Sequence, residues 1–153
     1  MRSWTFRTCS VTLMGPSSHR RPPGYRLAPR MSFDLTIDIE NTPGALADVA
    51  AAISDAGVNI AAATCIGPGD RAELHILVPH AEAARHALAI SHVAVSHERE
   101  VVVVDVEDCP GVLADLTRKV AAAGIDLDLV YVATRNRVVF GAPDLDALQA
   151  ALS

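Results

Sequence analysis

Aromatic residues are scarce in the sequence, since phenylalanine, tyrosine and tryptophan together make up 4% of its 153 residues. Half of the residues are hydrophobic, so the chain is expected to fold around a core of valine, leucine, isoleucine and alanine. This content excludes a chain that is unfolded throughout. No run reaches the roughly 18 apolar residues of a membrane-spanning helix, so we expect no membrane partner.

Cysteine is also scarce. The three cysteines, an odd number, are Cys9, Cys65 and Cys109. They lie far apart in the sequence and form no Cys-x-x-Cys pair. This pattern is unlike a disulfide framework or a structural zinc site, and it favours a reducing cytoplasm. No spacing places two histidines on one helical face with a carboxylate, so we expect no metal site and no cofactor.

Acidic residues are missing from the first thirty positions. Residues 1–30 contain six arginines, whereas the other 123 residues contain the remaining seven basic residues and all 18 acidic ones, a formal charge of −11. An acidic body repels a phosphate backbone, which argues against a nucleic-acid partner. Because residues 1–30 are rich in Pro, Gly and Arg, we expect a disordered basic tail or an artefact of an upstream start, with Met31 as the natural start. A transit peptide is the alternative.

A repeat with an offset of 67 residues organises the remainder. Residues 41–49 match residues 108–116, and residues 56–60 match residues 123–127 in the same register. The sequence therefore predicts two copies of one small module, a first domain over 31–98 and a second over 99–153.

Each copy shows the same order of predicted elements. In the first strand, Asp34 and Thr36 alternate with apolar residues, whereas Val101 and Val103 occupy the matching positions of copy two. We therefore expect the outer face of the sheet to be covered there, for example by another subunit. Thr42 and Cys109 are the expected helix N-caps, and apolar stripes of helical period follow both Pro-Gly pairs.

A hairpin and a second helix complete each copy. A final strand is predicted near Val93–His97 in copy one, whereas copy two stops at Ser153 with no residues left for it. The fold class is thus α+β, with two ferredoxin-like βαββαβ sandwiches in tandem, the second lacking its last strand. Four helices and seven strands are expected.

The motif Asn/Asp-x-Pro-Gly-Ala/Val-Leu-Ala before the first helix, with Gly-Val/Ile-Asn/Asp-Ile/Leu before the second strand, resembles the ACT domain. The resemblance extends from Phe33 to the C-terminus, twice. It implies a small regulatory module that pairs side by side and binds an amino acid at the interface, through the loop after strand one and the start of strand two. The candidate ligand-binding residues are then Asn41, Pro43, Gly44, Ala45, Leu46, Asn59, Ile60, Asp108, Gly111, Val112, Leu113, Asp126 and Leu127.

The physical chemistry of these loops agrees with such a ligand. A helix N-terminus offers unpaired N–H groups to a carboxylate, and a carboxamide such as Asn41 or Asn59 can donate to it as well. Asp108 and Asp126 replace these carboxamides in copy two and cannot donate, so we expect the two loops to differ. The Pro-Gly pairs have a second interpretation, as turn and helix-start residues alone.

The leading hypothesis is a non-enzymatic regulatory protein that binds an amino acid or similar metabolite, forms a homodimer and acts on an unidentified partner enzyme. The alternative is a ligand-free dimerisation or scaffold module, because the missing last strand leaves an open edge at Val101–Val106 that a neighbouring subunit or residues 4–13 could fill. A small enzyme using Cys109 or His75 is the third hypothesis.

Overall fold

A computed structural model describes residues 25–27 and 32–153. Within these residues the chain forms seven strands and four helices. The four helices were predicted, whereas the seven strands differ in part from the seven that were predicted. In chain order they are β1 (Tyr25–Leu27), β2 (Ser32–Glu40), α1 (Ala45–Asp55), β3 (Ala62–Ile66), β4 (Arg71–Val78), α2 (Ala81–Ile90), β5 (Val95–Val106), α3 (Val112–Ala122), β6 (Leu129–Ala133), β7 (Arg137–Gly141) and α4 (Leu145–Leu152).

The strands form one antiparallel sheet in the order β3-β4-β2-β5-β7-β6, and β1 also pairs with β5. We call β2, α1, β3, β4, α2 and the start of β5 the first half. The end of β5 with α3, β6, β7, α4 and β1 is the second half. The fold is α+β and ferredoxin-like, as predicted.

Strand β5 belongs to both halves. The sequence predicted separate strands near Val93–His97 and Val101–Val106, but the structure has one strand of 12 residues. Its residues up to Val101 pair with β2, and those from Val102 pair with β7. The polar residues 96–100 interrupt the apolar pattern without interrupting the backbone ladder, which explains the wrong prediction. The predicted domain boundary between residues 98 and 99 falls inside this strand.

Strand β1 occupies the place of the missing last strand of the second half. Tyr25 pairs with Val106 and Leu27 with Val104, on the first strand of that half. For residues 25–27 the structure differs from the expected disordered tail, because the three residues form a strand and the side chains of Tyr25 and Leu27 pack on the core of the second half. Residues 4–13, the other segment considered for this edge, lie outside the described residues.

Each half packs its helices on one face of the sheet. In the first half Leu35 and Ile37 of β2 contact Val49 and Ile53 of α1 in a buried cluster. The second half has an equivalent cluster that contains one aromatic residue among its fully buried members. These residues are Val104, Leu116, Val120, Val138, Phe140, Ala142, Leu148 and Leu152. The prediction of largely aliphatic cores is confirmed.

The helix-free faces of the two halves pack against each other, and we call this contact the junction. It consists of Ala61, Ala62 and Leu77 of the first half with Val101, Val103, Tyr131, Ala133 and Val139. The cover over Val101 and Val103 is therefore supplied by the same chain. Asp34 and Thr36, which the alternating pattern assigned to the outer face, are buried for the same reason.

Three further features of residues 25–27 and 32–153 bear on membrane insertion, metal binding and cysteine chemistry. None of the helices there is both long and apolar enough to cross a membrane. In the same residues, no three His, Cys, Asp or Glu side chains are grouped to hold a metal ion. Cys65 is free and exposed.

Candidate functional site

The two Pro-Gly pairs form equivalent turns, which we call the Pro-Gly turns. In the first, the Ala45 amide donates to the carbonyl of Thr42 at 3.2 Å, and Gly44 has a φ of +99°. Proline at the second position and a glycine of positive φ at the third are typical of a type II turn. The turn geometry therefore accounts for both Pro43 and Gly44 as structural residues.

The second Pro-Gly turn repeats this geometry. The Val112 amide donates to the carbonyl of Cys109 at 3.4 Å, and Gly111 has a φ of +95°. The N-caps of α1 and α3 are Gly44 and Gly111, so the prediction that Thr42 and Cys109 cap these helices is wrong.

These turns leave the N-termini of α1 and α3 without a side-chain cap within the described part of the chain. By contrast, α4 is capped by Asp144, whose carboxylate accepts from the Ala147 amide at 2.9 Å. In α1 the first bond of helical spacing runs from the Asp48 amide to the Gly44 carbonyl. The N–H groups of Leu46 and Ala47, unlike that of Ala45, are therefore available to an anionic group and carry partial positive charge.

An exposed leucine stands beside each of these N-termini. Leu46 is 46% exposed and Leu113 is 45% exposed, although both lie on the apolar stripes that the sequence assigned to the core. Farther along the stripes, Val49 and Ile53 of α1 and Leu116 and Val120 of α3 are buried. Each half thus presents an apolar side chain next to uncapped N–H groups.

The Asn41 side chain is hydrogen-bonded within the first half. Its Nδ2 donates to the carbonyls of Gly67 at 3.2 Å and Gly69 at 2.8 Å, in the turn between β3 and β4. Its backbone amide donates to Asp70. The carboxamide donor that the sequence offered to a ligand is therefore engaged by the protein. Asp108 is exposed at the matching position of the second half.

The remaining predicted residues lie away from the Pro-Gly turns. Asn59 and Ile60 precede β3, near Ala61, whose amide bonds to the Leu77 carbonyl at the far end of β4 from Asn41. Asp126 and Leu127 precede β6 in the same way. One chain therefore does not bring the strand starts to the Pro-Gly turns. The two turns are also separated, because β2 and β5 run antiparallel.

The junction contains a polar cluster that was not predicted from the sequence. Asp34 is fully buried and accepts from the Tyr131 hydroxyl at 2.7 Å. His75 Nδ1 lies 2.8 Å from Asp34 Oδ2, and His75 Nε2 lies 3.0 Å from Glu73 Oε1. The hydrogen bond to Asp34 raises the pKa of His75 despite the opposing effect of burial. Burial raises the pKa of Tyr131 as well, with the Asp34 charge adding to it.

The spacing of these residues along the sequence does not predict the cluster. Tyr131 is 97 residues away from Asp34 in the chain, and the two meet only because the helix-free faces pack together. Polar residues inside apolar strands, such as His75 in β4, were the available clue. Their partners could not be read from the pattern.

Residues 33–90 match the sequence profile of the ACT domain. This stretch is similar to the ACT domain. It covers the first Pro-Gly turn, both helices of the first half and its first three strands. The uncapped N-terminus of α1 and the exposed Leu46 thus lie within the matched stretch.

Solved structures share the architecture of the whole described chain. Protein BT0572 from Bacteroides thetaiotaomicron is 26% identical, with a TM-score of 0.71 over 80% of this chain and 86% of that one. The ligand-free regulatory subunit of aspartate kinase from Thermus thermophilus is 20% identical, with a TM-score of 0.61 over 85% and 97%. The corresponding subunit from Thermus flavus is 20% identical, with a TM-score of 0.61 over 84% and 94%. No curated protein matches the chain significantly in sequence.

Proposed function

We propose that the protein is a non-enzymatic regulator that binds an amino acid or a similar small metabolite at the Pro-Gly turns. The observation that carries this proposal is the uncapped N-terminus of α1 beside the exposed Leu46, inside the stretch that matches the ACT domain. The second half presents the same pair of features at α3 and Leu113. We propose on this basis that residues 99–153, completed by β1, act as a second ACT-like domain.

The ligand would be held by complementary chemistry. Its carboxylate would accept from the N–H groups of the first turn of α1, where the helix dipole favours negative charge. Its side chain would contact Leu46. Nothing within 4 Å would meet a Cβ at Gly44, so a ligand can approach the backbone there.

The site would be completed by a second copy of the chain. Since Asn59 and Ile60 lie at the opposite end of the sheet from Asn41, they would contact a ligand held at the Pro-Gly turn of a partner. Edge strand β6 exposes Val130 and Val132, and β3 exposes Ile66. A homodimer paired through such an edge would bury these side chains.

The regulatory role is supported by the solved structures of the same fold. Two of those described above are regulatory subunits of aspartate kinase. By this analogy the protein would change the activity of a partner enzyme when its ligand binds, in the cytoplasm, and the binding free energy would be coupled to the arrangement of the two halves.

A thermal-shift and calorimetric screen of the twenty amino acids tests the binding proposal. A ligand present at one hundred times its Kd should raise the free energy of unfolding by about 2.7 kcal/mol. The variants Leu46→Asp and Leu113→Asp place a carboxylate beside each uncapped N-terminus, and each should abolish binding in its own half. Gly44→Val is a weaker probe, because a φ of +99° strains any side chain.

Ala83→Asp is a matched control, since it adds the same charge to an exposed position of α2. It should leave any ligand response unchanged. The absence of a shift with every amino acid at millimolar concentration would contradict the proposal.

A ligand-free dimerisation or scaffold module is the second candidate. It is favoured by the engagement of Asn41 within the chain and by the apolar side chains on the edge strands. Light scattering of the full chain should then show a dimer without any ligand, and Val132→Arg should convert it to a monomer. A wild-type monomer at all concentrations would rule this candidate out.

A further inference from the structure

The junction buries charge in an otherwise apolar contact. Asp34 is fully buried and His75 is 8% exposed, beside apolar residues such as Leu77 and Val139. A buried ion pair usually stabilises a fold no better than apolar residues of the same size would. Its presence between two halves therefore needs a reason other than stability.

Both ring nitrogens of His75 face carboxylates. Nδ1 lies 2.8 Å from Asp34 and Nε2 lies 3.0 Å from Glu73. An imidazolium donates to both, whereas a neutral ring has one proton and must turn a lone pair toward one of the carboxylates. The cluster as observed is therefore complete only when His75 carries its proton.

The Asp34 carboxylate also binds a side chain of the second half. The Tyr131 hydroxyl of β6 donates to Asp34 across the junction at 2.7 Å. Close by, Thr134 donates to the carbonyl of Ala61 from its amide at 3.1 Å and from its hydroxyl at 2.8 Å. The Thr134 amide is thus a local reporter of whether the halves are in contact.

The neighbouring strands place the following groups near His75. Strand β3 places the uncharged Thr64 opposite His75, and β2 places Thr36 there, with its hydroxyl 3.3 Å from Nδ1. In β5, His97 pairs with Thr36 and Arg99 pairs with Asp34.

The Arg99 guanidinium bonds instead to Asp128 of the second half at 2.8 Å. The hydrogen bonds that Asp34 accepts in the structure therefore come from Tyr131, His75 and Thr36.

We propose that Asp34, His75, Glu73 and Tyr131 form a pH-responsive clamp that holds the two halves together while His75 is protonated and loosens the junction when it is not. Loss of the proton leaves Asp34 as a buried carboxylate without the imidazolium beside it, and burial of this unpaired charge favours opening of the junction to water. Because the pKa of His75 is raised in the folded protein, the contribution is complete below a pH of about 6.5 and is lost as the pH rises through the raised value. This behaviour goes beyond ligand binding and does not depend on it.

Nuclear magnetic resonance of the full chain tests the clamp. The side-chain signals of His75 report its titration, and hydrogen exchange of the Thr134 amide, corrected for intrinsic rate, reports the junction. The protection of Thr134 should fall about ten-fold or more as His75 loses its proton, as expected for a lost charge-assisted hydrogen bond. Protection that stays constant through the titration would overturn the proposal.

Three variants separate the clamp from simple packing. Glu73→Gln keeps a hydrogen-bonding group on the half-exposed side of the ring but removes a charge, so both the titration and the loss of protection should move to lower pH together. Tyr131→Phe should leave His75 titrating but abolish the pH dependence of Thr134 protection. His86→Gln, on the exposed face of α2, should change neither. An unaltered pH dependence in Tyr131→Phe would show that Tyr131 does not transmit the change.

Discussion

The two halves of the molecule build the same turn from different side chains. Gly44 and Gly111 have φ values of +99° and +95°, and the leucines beside them are equally exposed. Yet Asn41 ties its turn to the β3–β4 connection, while Asp108 stands exposed. The backbone of the turn thus depends on proline and glycine, and the residue two positions before the proline can have a different role in each half.

The length of the hairpin explains this difference. In the first half, β3 and β4 are joined by residues 67–70, which Asn41 holds through two of their carbonyls. In the second half, Arg135 and Asn136 have φ values of 61° and 53°, typical of a tight turn that matches the twist of its strands. Such a turn requires no side chain from a neighbouring loop.

The largest expected effect tests whether the halves are one cooperative unit. Leu35→Ala in the first half and Leu148→Ala in the second each remove a fully buried side chain, and each should lower the free energy of unfolding by about 3 kcal/mol. Because both halves share β5 and the junction, urea denaturation followed by circular dichroism should show one transition in each variant. Two transitions, with each variant moving only its own, would show that the halves unfold separately.

A smaller effect concerns the different origin of the last strand in each half. Leu27 is a partly buried residue of β1 on the core of the second half, so Leu27→Ala should lower the free energy of unfolding by about 1.5 kcal/mol. Hydrogen exchange should increase at Val104 more than at the first-half strand β4. Arg26→Ala, at the exposed position of the same strand, is the control and should be neutral. Equal effects of both substitutions would contradict the assigned packing.

The smallest effect compares the two Pro-Gly turns directly. Asn41→Asp removes the donor to Gly67 and Gly69, and it should lower the free energy of unfolding by about 1 kcal/mol. The converse change, Asp108→Asn, should alter it by less than about 0.5 kcal/mol. Thermal denaturation of the two variants beside the wild type measures the difference. Equal losses would mean that the Asp108 side chain also supports its turn.

Local signals in the sequence were sufficient for the helices and for most strands. Gly57 and Gly124 have positive φ values and follow the ends of α1 and α3, where a left-handed residue commonly closes a helix. The repeat also predicted the second Pro-Gly turn correctly. These features depend on residues that are close together in the chain.

Features that depend on distant contacts were missed. The polar residues 96–100 concealed the continuity of β5, and Tyr25 and Leu27 gave no sign of pairing with Val106 and Val104. The burial of Asp34 depends on a tyrosine far along the chain. Of the candidate site, the sequence predicted the turns but neither the engagement of Asn41 nor the separation of Asn59 from them.

The placement of β1 has a consequence for the order of the chain. Since β1 fills the strand position that would otherwise follow α4, a circular permutant with Tyr25–Leu27 joined after Ser153 through a short linker would begin at β2. In this permutant the elements would follow one another as two complete βαββαβ units, with β5 common to both. In the natural order β1 is synthesised before the rest of the second half, so it has no strand to pair with until β5 has been made.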